Sequence, residues 1–112
     1  MTHQQHDLFI QAIHDMKKVT LRFFSKEDSG VIERICAPMD YGLGKRIKDG
    51  IPRYHVWDYF PDDGKKPHPI PVLATQIREI LVTDEAFDPA EFVEDAWFPL
   101  AWHIPRNWGR FS

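Results

Sequence analysis

The sequence predicts a mainly β domain of the α+β class: about five short strands behind an N-terminal helix. Three observations point there. One stretch, residues 5–18, repeats its apolar residues with helical spacing. It is followed by several runs of four to eight β-branched and aromatic residues, each bracketed by Gly, Pro, Asp or Ser. The whole chain is 112 residues, enough for one core but not for two.

The helix rests on Leu8, Phe9, Ala12, Ile13 and Met16, which form one stripe. Thr2 with Gln5, or Asp7 alone, suits its start, and Lys17-Lys18 suits the negative end of its dipole. A helix this short needs a surface to lie on. Val19–Phe24 reads as the first strand. The polar turn Ser25–Gly30 follows, with Gly30 available for a positive φ. Val31–Ala37 is the second strand, with Pro38 expected to end it. Asp40–Pro52 reads as a loop holding Gly42, Gly44 and Gly50 among Lys45, Arg46 and Lys48. Gly42-Leu43-Gly44 lacks a third glycine and a following helix, so it is a poor phosphate loop and a better mobile basic rim.

Arg53–Phe60 is the most strand-like run of the chain and the element the others are expected to pair with or cover. Trp57 and Phe60 read as core. His68–Thr75 is extended, and Pro67, Pro69 and Pro71 confine its start to an edge. Gln76–Thr83 reads as the last strand. Asp88-Pro89 opens a short helix, with Asp as cap and Pro at the first position. These elements suggest a small five-stranded SH3-like or Sm-like barrel over residues 1–96, closed to limit its edges. Residues 97–112 form an aromatic tail with three of the four tryptophans, expected to pack on the barrel or on a partner chain.

Composition narrows the function. No apolar run approaches the ~20 residues of a membrane-spanning helix. The N-terminus has no secretory signal, and the single cysteine, Cys36, excludes an internal disulfide and reads as a small buried hydrophobe; a cytoplasmic protein is expected. The net charge is −3, with 12 basic against 10 acidic side chains in residues 1–78 and two against seven in residues 79–112. Any nucleic-acid binding therefore has to rest on a local patch. No nucleophile–base pair or metal-ligand set stands out, and His55 and Asp58 fall on opposite faces of a strand. Catalysis, metal and cofactor are accordingly not expected.

The order of motifs resembles the WYL domain family. The opening helix leads to Leu21-Arg22-Phe23-Phe24-Ser25, similar to the family's first strand and serine. Glu33-Arg34 precedes Pro38 as in its Arg-x-x-x-Pro segment. Tyr54 stands at the tyrosine of the naming triplet, and Gln76–Ile80 with Phe87-Asp88-Pro89 resembles its closing strand and Phe-Asp-Pro step. Arg53 and His55 replace the Trp and Leu of the triplet. Over Val72–Ile77 both closing-strand arginines are replaced, and Gln76 stands at the second. The family's DNA-binding helical domain has no counterpart here.

The resemblance implies an Sm-like barrel and a non-catalytic regulatory module of bacterial transcription or defence, sensing single-stranded nucleic acid or a nucleotide-like ligand. In that role Ser25, Arg34, Lys45, Arg46, Arg53, Tyr54 and Gln76 are the expected ligand residues, with arginines forking a phosphate and Tyr54 stacking on a base. The competing expectation is a protein-interaction adaptor, or a homo-oligomer, using the barrel and its tryptophan-rich tail.

Overall fold

The computed structural model describes residues 2–61, 64–94 and 100–112. Helix α1, His3–Asp15, precedes a five-stranded antiparallel sheet of β1 (Lys17–Ser25), β2 (Gly30–Gly42), β3 (Arg53–Asp58), β4 (His68–Val72) and β5 (Ile77–Ala86). The order across the sheet is β4-β3-β2-β1-β5. Among the described residues β4 and β5 do not pair, so the sheet is open rather than closed into a barrel. Closure is not needed to bury one face. Helix α1 and the C-terminal segment supply the second layer, which is the other way for a small sheet to cover its core.

The helix starts on a reciprocal capping box, with the Thr2 hydroxyl accepting from the Gln5 amide and the Gln5 side chain accepting from the Thr2 amide. It ends at Met16, whose left-handed backbone (φ 53°) turns the chain straight into β1. Lys17 and Lys18 therefore belong to the strand, not to the helix terminus. Of the apolar stripe, Phe9, Ala12 and Ile13 are fully buried, while Leu8 faces out.

The β1–β2 hairpin pairs Ser25 with Gly30, and the positive φ of its turn falls on Ser29 rather than on Gly30. The larger departure is at Pro38, where β2 continues to Gly42. Pairing with β1 stops at Cys36, so from there β2 is hydrogen-bonded on one side only. A register shift between Pro38 and Asp40 bends it further. A proline at a local edge beside a bulge leaves no ladder acceptor empty. The extension carries Met39 and Asp40 into the core, in what reads from sequence as loop.

β3 stops at Asp58, whose carboxylate accepts the Phe60 amide at 3.1 Å. That turn throws Phe60 outward, 67 % exposed, against its expected place in the core; Trp57 is buried as expected. β4 is an edge strand with Pro69 and Pro71 in it. Asp88 caps a single 3-10 turn, Pro89–Glu91, with the Glu91 carboxylate accepting from the Asp88 amide at 2.8 Å.

Residues 100–112 enter the same core as the strands. Trp108 packs edge-on to Phe87 and Phe92 and donates its indole N–H to the Ile13 carbonyl at 2.8 Å, closing the end of α1. Trp102 packs against Trp108 and donates to the Phe111 carbonyl. Trp97 and Phe98, also expected to pack back, lie outside the described residues.

Candidate functional site

A concavity opens where β2 outruns β1. It has a volume of about 430 Å³, within the range of small-ligand sites. Its floor is Met39 and Asp40 of β2 with His55 of β3. Pro69, Ile70 and Pro71 of β4 form one wall, and Leu100, Ala101, Trp102 and His103 form the opposite one. Leu43, Gly44, Lys45, Arg46 and Ile47, from the loop after β2, form the lip.

The wall made by the tail is held by one buried ion pair. Asp40 Oδ2 accepts the His103 amide at 2.9 Å, and Oδ1 accepts the Ile104 amide and Arg106 Nη2, each at 3.0 Å. The Arg106 side chain has no exposed surface. It also donates to the carbonyls of Met39 and Ile104, and its guanidinium lies over Trp102 and Trp108, 4.2 and 4.4 Å from the ring centroids. A buried charge survives when it is both paired and fully hydrogen-bonded, and indole faces add cation–π attraction. Burial pulls the guanidinium from its ordinary 12.5 to about 10 while Asp40 opposes, leaving it cationic at neutral pH.

Two histidines finish the floor and wall. His55 and His103 donate from Nε2 to the carbonyls of Gly42 and Leu43, each at 3.0 Å. In the neutral rings Nδ1 is therefore the acceptor. Gly42 admits this arrangement because a Cβ there would come within 2.3 Å of the His103 ring. Close approach, not a special φ, is what its missing side chain supplies.

Of the residues expected to bind ligand, Lys45 and Arg46 reach the cleft. Both are exposed, and no ion pair joins them, or Lys48, to another described residue. Arg53 is engaged nearby. It grips Asp49 in a two-pronged bond of 2.8 and 3.0 Å and donates to the Ile51 carbonyl, closing the root of the loop. That guanidinium, with the Ile51 amide, holds the Asp49 carboxyl down at about 2.

The remaining four lie elsewhere. Tyr54 is 3 % exposed, edge-on to Phe9, and shares a 2.7 Å hydrogen bond with His6 Nδ1. Burial, then the neighbouring Tyr41, raises its hydroxyl to about 12. Arg34 reaches Asp58 at 3.5 Å, the side chains being 12 % and 3 % exposed. The Gln76 side chain ties the Leu73 amide to the Phe24 carbonyl. The Ser25 hydroxyl donates to Asp28 Oδ2 at 2.8 Å inside its own turn. Ser25 pairs at the first residue of β2 and Tyr54 near its last, so the strand's length separates them. Ser25, Arg34 and Tyr54 thus do not meet around one mouth.

Asp40, His103 and Arg106 carry the site's architecture without having been marked by sequence pattern. One signal was present: Trp102, Arg106 and Trp108 place a cation between two indoles in a tail with one other basic residue, Arg110. Cys36 is fully buried, and desolvation pushes its thiol up, away from reactivity. Among the described residues no three His, Cys, Asp or Glu side chains gather as a metal site requires. No family model matches this chain, and no curated protein or solved structure shows significant similarity to it.

Proposed function

We propose that this chain is a non-catalytic regulatory binding module whose cleft takes a compact anionic ligand with a flat apolar body. A nucleotide, or the end of a single strand of nucleic acid, has that chemistry. The observation that carries the reading is the cleft itself: an apolar lining from Met39, Ile70, Leu100 and Trp102 beneath a lip where Lys45 and Arg46 form no ion pair with another described residue. A base would lie between the proline-rich wall of β4 and the tail, and a phosphate would meet the lip. Two cations on a chain of net charge −3 suit one or two phosphates better than a long backbone. The resemblance to WYL domains supports the same class of ligand and a role in bacterial transcription or defence, although the favoured residues are the lip cations rather than Arg34 and Tyr54.

Tryptophan fluorescence provides the test, since Trp102 lines the wall. Nucleoside mono- and diphosphates and short oligonucleotides titrated at rising salt should quench it, with affinity falling as salt rises. Replacing Lys45 and Arg46 together by Glu should weaken binding at least about tenfold, as the loss of a charge-assisted contact does. No response to any of these ligands at low salt ends the proposal. The alternative, an adaptor using the tail, would have to work with Trp108 buried and Trp102 packed partly against the core.

A further inference from the structure

The fold leaves one polar atom of the cleft unused. His55 lines the floor, and its strand neighbours there are Asp40 of β2 and Pro71 of β4. In sequence it stands between buried Tyr54 and Val56, so its side chain takes the opposite face of β3. Its Nε2 meets the Gly42 carbonyl oxygen, which can only accept, so the proton of the neutral ring sits on Nε2. Nδ1 then carries a lone pair, and no described residue donates to it. Among the described residues no sealed-in side-chain nitrogen or oxygen lacks a hydrogen bond. The Nδ1 of half-buried His55 is therefore open to solvent.

The other polar side chains of the lining are spent or differ in kind. Asp40 already accepts from three donors, and the Trp102 indole N–H is given to the Phe111 carbonyl. Lys45 and Arg46 can only donate. His103 repeats the arrangement on the Leu43 carbonyl, but as an exposed residue of the wall. An apolar cleft with cations at its lip and a neutral acceptor at its floor matches a ligand with an anion at one end and an N–H at the other.

We infer that His55 determines specificity in the cleft, its Nδ1 accepting from the exocyclic amino group of a nucleobase. This rests on the nucleotide reading above and adds which bases are taken: adenine, guanine or cytosine rather than uracil or thymine. A base without the amino group covers the lone pair, strips it of water and gives nothing back. Protonation turns Nδ1 into a donor and ends the match, a change histidine ordinarily undergoes between about pH 5 and 8. The charged and titratable groups lining the cleft with His55 are Asp40 of β2, Lys45 and Arg46 of the lip and His103 of the tail, while β4 brings only Pro69, Ile70 and Pro71. Arg106 of the tail joins them through its ion pair with Asp40.

Three pairs of nucleoside monophosphates differ only in an exocyclic amino group: adenosine against purine riboside, guanosine against inosine, and cytidine against pyrimidinone riboside. Titrated into the intact chain by Trp102 fluorescence at about pH 8, at least one amino-bearing member should bind about tenfold more tightly than its counterpart. Near pH 5 that ratio should fall toward one, and using the ratio cancels the titration of the phosphate. His55→Phe should bring it to one at every pH while binding through the lip persists. The wild-type pH profile needs no variant, so the inference stays open to refutation even where His55→Phe fails to fold. Binding without preference in any pair, a preference indifferent to pH, or one that survives His55→Phe overturns the inference and leaves the nucleotide reading standing. No binding by any of the six overturns both.

Discussion

β2 contributes one partner to each of two aspartate–arginine pairs, Asp40 near its C-terminal end and Arg34 nearer its middle, and the two pairs differ in how they are enclosed. At the Asp40 end the carboxylate has three donors, two from the tail backbone and one from Arg106, and the guanidinium is stacked against two indoles. Beside the middle of β2, Asp58 of β3, paired across from Cys36, meets Arg34 Nε at 3.5 Å and turns the chain at Phe60. The first pair joins segments more than sixty residues apart and closes the cleft wall. The second joins neighbouring strands that the sheet already holds. An ion pair matters most where it is the tie between pieces that backbone ladders do not connect.

Arg106→Ala tests this most severely. It strands a buried carboxylate and removes the packing of two indoles, so a loss of about 3–5 kcal/mol is expected in denaturant unfolding. Arg34→Ala should cost less, about 1–3 kcal/mol, because Asp58 keeps the Phe60 amide. Equal losses would erase the distinction. Gly42→Ala sharpens it. The new methyl group collides with the His103 ring, so the tail must shift at a cost of about 1–3 kcal/mol. The change should appear in Trp102 fluorescence before global unfolding.

Arg53→Ala reaches the loop alone. The Asp49 titration, followed by NMR, should rise from about 2 toward its ordinary 3.8. In the native protein that carboxyl is more acidic folded than unfolded. Its contribution is therefore complete above the ordinary carboxylate range and is lost as pH falls toward 2. The smallest effect belongs to Lys45→Glu with Arg46→Glu, which should leave stability within about 0.5 kcal/mol while abolishing most ligand quenching.

The elements themselves were legible in local pattern. Period, caps and turn formers placed α1, the five strands and the Asp88-Pro89 turn, because each depends on residues a few positions apart. Pro38 misled because its meaning depends on whether β1 still runs alongside. Phe60 misled because a single carboxylate two residues earlier redirects the backbone. Of the residues expected to bind ligand, Lys45 and Arg46 line the cleft, whereas Arg34, Tyr54 and Gln76 are engaged with partners in the fold and Arg53 with Asp49 of its own loop.

The order of hydrophobic and turn residues alone thus determined a helix and an antiparallel set of strands, since these answer to spacing along the chain. It did not determine that the sheet stays open, that the tail becomes a layer of the core, or which arginine meets which carboxylate. Those were decided by contacts between residues as far apart as Asp40 and Arg106, where low dielectric and complete hydrogen bonding select one partner among many that composition would allow.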